Sequence, residues 1–206
     1  MTLLYRVQLL DDSNPDDVAK ANALQDQFVV MANSAVPFPP PQWDVDSMLA
    51  LRSEYEAEFK KFAQFEPDWM GPRGQVNEET RHLAAAGAWG LFPEKAAVYI
   101  NYAGPTDPEQ CYTATYETPQ TEAFWSITVY GDDGFMKSDN NVINDRNVTS
   151  NEDGTFTAFF GSEAVCGAHA NRVDISGGWN FLLRIYRPGS AVLSGEYTLP
   201  EVSIWE

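Results

Sequence analysis

The sequence predicts an α+β protein in which a helical N-terminal segment precedes an antiparallel, jelly-roll-like β-sandwich. Apolar residues recur at helical spacing through the first ninety residues or so, and from Ala97 onward the apolar period changes to two. Turn signals then separate several short strands, which is typical of a sandwich or jelly roll. We therefore divide the 206 residues into a helical region, 1–92, and a β-sandwich domain, 93–206.

Three helices are predicted before the change of period. The first is capped by Asn14-Pro15-Asp16-Asp17 and precedes a proline-rich connector at 37–41. The second begins at Asp44 and stops near Pro67, and the third runs from Asn77 to Gly90, a natural helix stop. The apolar face of the first helix comprises Val18, Ala21, Leu24, Phe28 and Met31, and that of the second comprises Val45, Met48, Leu49, Tyr55, Phe59 and Phe62.

The predicted strands are rich in β-branched and aromatic residues. They read AVYINYA, CYTATYE, AFWSITVY, GTFTAFF, WNFLLRIY and GEYTLPEVSIW, with Gly, Pro and Asp turns between them. In AFWSITVY, alternation places Ala123, Trp125, Ile127 and Val129 on one wholly apolar face, so this face is expected to pack into the core.

Charge limits the classes of partner. The chain has 13 Lys and Arg against 30 Asp and Glu, a net charge of −17, which excludes nucleic acid and anionic membranes as favourable partners. The acidity either keeps the protein soluble or creates a field that attracts cationic or neutral substrates, and the sequence does not separate the two. Since no leader and no apolar segment of about 20 residues is recognised, the protein is expected to be soluble and cytoplasmic. A cytoplasmic location favours free thiols at Cys111 and Cys166, although a β fold would allow them to pair.

Several motifs in the β-rich half occur in a fixed order. They are Phe124-Trp125-Ser126, Asp133-Gly134, Asp145-Arg146, Asp153-Gly154-Thr155 and Leu183-Arg184-Ile185-Tyr186-Arg187-Pro188, followed by Gly195 and Pro200. With the helix at 82–91, they make about Thr80 to Trp205 resemble the domain-of-unknown-function 1214 family, usually joined to a 1254 domain. The resemblance implies a jelly-roll-like sandwich of the 1214 type that tends to oligomerise, and it implies no established chemistry.

Two departures from the family pattern are visible. Asn171-Arg172-Val173-Asp174-Ile175 stands where family members often have Asn-Trp and a proline-rich turn, so a pocket lined by that tryptophan would differ here. The separate 1254-type sandwich is replaced by helices.

Motifs for cofactors are missing from the sequence. The histidines at 82 and 169 and the two cysteines form no zinc-ligand pattern, and Asp139-Asn140-Asn141 resembles a self-capping turn more than a calcium loop. There is no glycine-rich nucleotide loop and no nucleophile elbow. We therefore expect no metal and no cofactor.

Acid and base chemistry by side chains is the remaining catalytic option. Adjacent strand residues point to opposite faces, so either Asp145 or Arg146 is expected to face a pocket, with Arg146 anchoring a substrate and Asp145 or His169 moving a proton. The alternatives are that Asp145-Arg146 belongs to a structural salt bridge between sheets and that His169 is simply an exposed loop residue.

Other residues complete the hypothetical site. Arg184, within a buried-looking strand, is expected to pair with Asp145, Asp139 or Glu122. Asp139 and Arg184 would join Arg146 in binding the substrate, and Tyr186 and Trp125 would form the wall of the site. The site is expected around Asp139 to Arg146 and His169.

Two functions follow from these residues. The first is binding of a small organic molecule in an aromatic-lined pocket, with cofactor-independent turnover as an option. The second is a non-catalytic oligomeric scaffold assembled through the N-terminal helices, and a homo-oligomer is expected in both cases.

Overall fold

The structure is a computed structural model that describes residues 5–34, 36, 42–62, 69–87, 90–105 and 107–206. The proline-rich connector predicted at 37–41 lies outside the described residues. The chain separates into two compact units, Met1–Trp43 and Asp44–Glu206. The division predicted after residue 92 instead marks the change from helix to strand, and as a domain boundary it stays a prediction.

The first unit contains helix α1, Pro15–Gln25. The predicted cap is confirmed, because Asn14 Oδ1 accepts a hydrogen bond from the Asp16 N–H at 3.0 Å. The helix ends earlier than its apolar spacing predicted. Ala21 is its buried residue, whereas Met31, expected on the same face, lies beyond the helix and is 93% exposed.

The second unit begins with helices α2, Val45–Phe59, and α3, Glu78–Gly87. Asp44 caps α2 as predicted, since its Oδ1 accepts from the Ser47 N–H at 3.2 Å. The two helices pack closely where Gly87 meets the ring of Phe59, and a methyl group on Gly87 would lie 2.3 Å from that ring. None of the α2 residues is fully buried: Phe59 at its end packs against Gly87, whereas Val45, Met48 and Leu49 of its predicted apolar face are exposed.

Eight strands and two short helices follow. The strands are β1 Ala97–Ala103, β2 Tyr112–Tyr116, β3 Trp125–Tyr130, β4 Val142–Asn144, β5 Phe156–Phe160, β6 Arg172–Val173, β7 Asn180–Tyr186 and β8 Ser203–Ile204, and the helices are α4 Glu163–Cys166 and α5 Ser190–Leu193. They form two four-stranded sheets in the orders β1-β7-β3-β4 and β6-β5-β2-β8. The α+β class is confirmed, and the strand pairs of the described residues are antiparallel except for β5 and β6, which are parallel. The jelly-roll connectivity stays a prediction.

One hydrophobic core contains side chains from both sheets. The register pairs Trp125 with Ile185, Ile127 with Leu183 and Val129 with Phe181, so these residues share a face, as alternation predicts for β3. From the other sheet, Tyr116, Phe156 and Phe160 join the same core, and all three are fully buried. Each large apolar side chain buried in this way contributes about 1.5–3 kcal/mol.

A disulfide joins the two cysteines. Cys111 Sγ and Cys166 Sγ are 2.11 Å apart, and the two residues are separated by 55 positions in sequence. The expectation of free thiols is therefore wrong. It rested on the predicted compartment, whereas the fold places Cys166, at the end of α4, directly beside the residue that precedes β2.

Candidate ligand-binding cavity

The segment predicted to hold the site, Asp139 to Arg146, is exposed at both ends. Strand β4 ends at Asn144, and Asp145 and Arg146 follow in a turn, so the argument from opposite strand faces does not apply. Asn144 Oδ1 accepts from the Arg146 N–H at 2.9 Å and from the Asn147 N–H at 3.1 Å. These side-chain bonds to the backbone favour a turn over a longer strand.

His169 is an exposed loop residue that lies against aromatic rings. Its imidazole stacks on Phe159 with ring centroids 4.1 Å apart and meets Trp205 edge-on at 5.8 Å. The disulfide restrains this loop, because Cys166 lies three positions before His169.

A solvent-open recess of about 470 Å³, which we call the loop recess, lies between the His169 loop and the segment around β4. Its lining includes Asn140, Asn147 and His169. Asp139, Asp145 and Arg146 are not among its lining residues. The segment around β4 and the His169 loop thus line one recess, but the first segment does so through Asn140 and Asn147 rather than through the predicted charged residues.

The charged groups of the loop recess already satisfy one another. Arg172 Nη1 donates to the Gly161 carbonyl oxygen at 2.8 Å and to Asp174, and Arg172 Nη2 lies 3.9 Å from Glu163. Burial opposes ionisation of Asp174, but hydrogen bonds from Ser138 and Arg172 outweigh it and hold the pKa of Asp174 below its usual value. This arrangement is a structural ion pair rather than a vacant anion site.

Arg184 forms no ion pair with Asp145, Asp139 or Glu122, the described carboxylates predicted as its partners. Its Nη2 donates to the Tyr130 hydroxyl at 2.8 Å, and its guanidinium lies 5.7 Å from the centroid of that ring. Glu122, one of its three expected partners, pairs with Arg187 instead. The prediction was wrong because Arg184 stands on the sheet face opposite the core, where a phenol on the neighbouring strand is within reach.

The two predicted wall residues occupy different places. Trp125 is only 2% exposed and stacks on Phe156 at 4.8 Å in the core, and it is not among the lining residues of the loop recess. Tyr186 lies on the other sheet face, half-buried between Phe124 at 4.5 Å and Tyr99 at 6.4 Å.

A second cavity of similar volume follows β1, the edge strand of its sheet, and we call it the β1 cavity. Its volume is about 480 Å³, within the usual range for small-molecule sites. Residues from both faces of β1 line it, together with residues 69–70, residues 91–94, the end of α5 and the segment after it. Most of these side chains are apolar: Trp69, Met70, Leu91, Phe92, Val98, Ile100, Val192, Leu193 and Leu199.

The α2–α3 pair supports one wall of the β1 cavity. Trp69, which is 1% exposed, packs edge-on against Phe62 at 4.9 Å and lies 6.0 Å from Phe59. Phe59 in turn fits against Gly87 of α3. The aromatic residues that the sequence assigned to a helical stripe therefore hold a wall residue in position.

Two phenols supply polar groups to the β1 cavity. Burial, followed by the neighbouring phenol of Tyr186, raises the pKa of Tyr99 to about 12. Burial likewise raises the pKa of Tyr197, whose hydroxyl donates to the Glu117 carbonyl oxygen at 3.1 Å. Both phenols are consequently neutral at physiological pH.

Glu94 is the charged member of the described cavity lining, which contains no Lys, Arg or His. Sequence reasoning missed Glu94, Tyr99 and Tyr197. The signal available for Tyr99 was its place in AVYINYA, but nothing in the sequence indicated that this strand would lie at a sheet edge. Glu94 lies in a turn before β1 and carries no local motif.

Neither a metal-ligand cluster nor a membrane-spanning helix is found among the described residues. They contain no group of three or more His, Cys, Asp and Glu side chains placed to hold a metal ion. None of their helices has the length and apolar character that crossing a membrane requires.

Comparison with known proteins gives a match to one family model and a similar fold. Residues 101–190 match the model of the family described as "Protein of unknown function (DUF1214)". Among curated proteins, none matches the chain. The crystal structure of the VPA0106 protein from Vibrio parahaemolyticus is similar with a TM-score of 0.60 and 22% identity, over 93% of this chain and 51% of that one. The chain thus spans about half the length of that relative, and the likeness shows a shared fold.

A second solved structure is more distant. An uncharacterized protein from Burkholderia cenocepacia has a TM-score of 0.41 and 15% identity, over 80% of this chain and 43% of its own.

Proposed function

From the match of residues 101–190 to the model of the DUF1214 family, whose description assigns no activity, we propose that the protein binds a small apolar organic molecule in the β1 cavity. The observation that carries the proposal is the cavity itself: its volume is about 480 Å³, and its lining contains more apolar than polar side chains. Sites for small organic molecules have this composition, since apolar walls supply affinity and a few polar groups fix orientation.

Binding without catalysis is the form that we propose. A proton-transfer site needs a base and an anchoring group on one cavity, and Asp145 and Arg146 do not line the recess that His169 lines. The catalytic roles of His169 and Asp145, and the anchoring roles of Arg146, Asp139 and Arg184, stay predictions.

A cavity-filling substitution tests the binding proposal. Leu193 lines the cavity from α5 and is largely exposed, so Leu193→Trp adds bulk with little effect on the core. Ser190→Trp is the matched control, because Ser190 is an exposed residue of the same short helix that does not line the cavity. Binding of an apolar fluorescent dye such as Nile red is measured for both variants and the wild type.

We expect Leu193→Trp to weaken dye binding at least about tenfold, the effect of losing roughly 1.4 kcal/mol, and Ser190→Trp to leave it unchanged. Equal dye binding by all three proteins would refute the β1 cavity as the site. Mass spectrometry of the native protein, before and after denaturation, then identifies any ligand retained through purification.

A scaffold function is the second candidate, and the exposure of α2 favours it. Val45, Met48, Leu49 and Leu51 are each about half exposed, and an apolar helix face of this kind is typical of an association surface. Light scattering during size exclusion is expected to show an oligomer that Met48→Glu with Leu49→Glu dissociates. A monomeric wild type, or an oligomer that survives both changes, would remove this candidate.

The jelly-roll-like arrangement of the sheets and the cellular location are also part of the proposal. Two sheets with a shared core support a jelly-roll-like sandwich. The cytoplasmic location rests on the sequence alone, and the disulfide is more typical of an oxidising compartment.

A further inference from the structure

We propose that the β1 cavity selects apolar molecules that carry a protonated amine. The inference rests on the proposed function and adds the chemical class of the ligand. It is drawn from the charges and aromatic rings of the described lining.

The first step is the unbalanced charge of the lining. Glu94 is half-buried beside apolar residues, and among the described residues no Lys or Arg lies within salt-bridge distance of it. A carboxylate in such a place lacks the compensation that partly buried charges normally receive. A cationic ligand group would provide it.

The second step concerns the aromatic residues. Trp69, Phe92, Tyr99 and Tyr197 line the same cavity as Glu94. Aromatic faces attract ammonium groups through their negative π-surface, most strongly where water is excluded. Carboxylate and rings on one cavity therefore favour the same type of ligand group.

The third step excludes the opposite charge. An alkanoate in this cavity would meet Glu94 without a basic side chain among the described lining residues to neutralise it. The phenols of Tyr99 and Tyr197 remain neutral and supply dipoles, but no positive charge. Arg184 is the cation nearest to Tyr99 in the sheet register, and its guanidinium binds Tyr130.

The overall charge acts in the same direction at longer range. A net charge of −17 attracts cations and repels anions, but it does so over the whole surface. Added salt screens this general field with a Debye length of about 3 Å at 1 M, whereas a pair inside the cavity is screened much less. Salt dependence therefore separates selection by the cavity from attraction by the surface.

The test compares three probes of equal chain length: decylamine, decanol and decanoate. Each is titrated against the Nile red complex of the full chain at about pH 8, where the alkylamine is protonated and the alkanoate ionised. The titrations are repeated at high salt and below the concentration at which the probes form micelles. We expect decylamine to displace the dye at least about tenfold more effectively than decanol, and decanoate to be weakest.

Variants assign the preference to Glu94. Glu94→Gln is expected to bring decylamine down to the level of decanol, and Glu94→Lys to make decanoate the better competitor. Glu152→Gln is the matched control, since it removes one charge from an exposed turn far along the chain from the cavity residues.

Each outcome has one meaning. Selection of decylamine that persists in salt and disappears in Glu94→Gln supports the inference. If decanol or decanoate competes as well as decylamine, or if high salt or Glu152→Gln abolishes the preference, the amine class is wrong while the binding function stands. If the dye does not bind the cavity at all, the proposed function fails with it.

Discussion

Removal of the Cys111–Cys166 disulfide is expected to lower the free energy of unfolding by about 4 kcal/mol. The bond closes a loop with a sequence separation of 55, and the chain-entropy relation gives about 4 kcal/mol for a loop of this length at 25 °C. The relation treats the cross-link as a restriction of the unfolded chain, so the loss should appear whether the bond is reduced or mutated. The change proposed is Cys111→Ala with Cys166→Ala.

Urea unfolding, followed by tryptophan fluorescence, measures the effect. Five samples are compared: oxidised wild type, wild type with a reducing agent, the two single Cys→Ala variants and the double variant. Reduction removes the cross-link without changing packing, so the reduced wild type isolates the entropic contribution. The variants additionally lose contacts in the small cluster that the cysteines form with Phe159 and Val165.

The reasoning would be refuted by identical urea midpoints for the oxidised and reduced wild type. Thiol titration under non-reducing, denaturing conditions provides an independent check on the pairing. No reactive thiol is expected. Two reactive thiols in protein isolated without reductant would contradict the structure and support the cytoplasmic location predicted from the sequence.

Three further predictions concern the core and two titrating groups. Gly104→Ala places a methyl group 2.2 Å from Trp179 Cε2, and such overpacking should cost about 1–3 kcal/mol in urea unfolding. Asp174 has a folded-state pKa below its unfolded value, so the stability it contributes is present above about pH 4 and is lost as pH falls through the folded pKa. Asp174→Asn should therefore reduce the loss of stability at acid pH. Tyr99 has a folded-state pKa raised to about 12, so the stability it contributes is present below about pH 10 and is lost as pH rises towards 12. In an ultraviolet titration, Tyr99→Phe should remove one phenol from those that ionise well above pH 10.

Each of these predictions has a control. Gly177→Ala introduces a methyl group with nothing within 4 Å, so equal losses for Gly104→Ala and Gly177→Ala would contradict the packing argument. For Asp174, an unchanged acid limb in the Asn variant would show that its ion pair adds no stability. For Tyr99, a titration in which the variant loses a phenol that ionises near pH 10, rather than at higher pH, would show that burial does not raise the pKa of Tyr99.

Local features of the fold could be predicted from the sequence because they depend on neighbouring residues. Asn14 and Asp44 begin helices as expected, since a short polar side chain before an apolar-periodic segment caps free backbone N–H groups. The alternation that buries Trp125 was visible for the same kind of reason, since a strand turns successive side chains to opposite faces. The family resemblance additionally predicted a β-sandwich from the order of the motifs in the β-rich half.

The candidate site was largely beyond the sequence. Asp145 and Arg146 were read as strand residues, but the Asn144 side chain binds backbone N–H groups and forms a turn that leaves both exposed. His169 and the segment around Asn140 do meet, through residues that carried no recognisable motif. Partners of Arg184 were sought among carboxylates, although the register places a phenol on the adjacent strand within reach.

The sequence by itself therefore determined the helix starts, the change to strands and the acidic charge, all of which depend on composition or on residues a few positions apart. Tertiary structure decided which strand lies at a sheet edge, and hence that Tyr99 and Glu94 line a cavity with Tyr197, about a hundred residues further along the chain. It also decided that Cys111 meets Cys166. Such meetings depend on strand order and register across the whole domain, and no local pattern of residues encodes them.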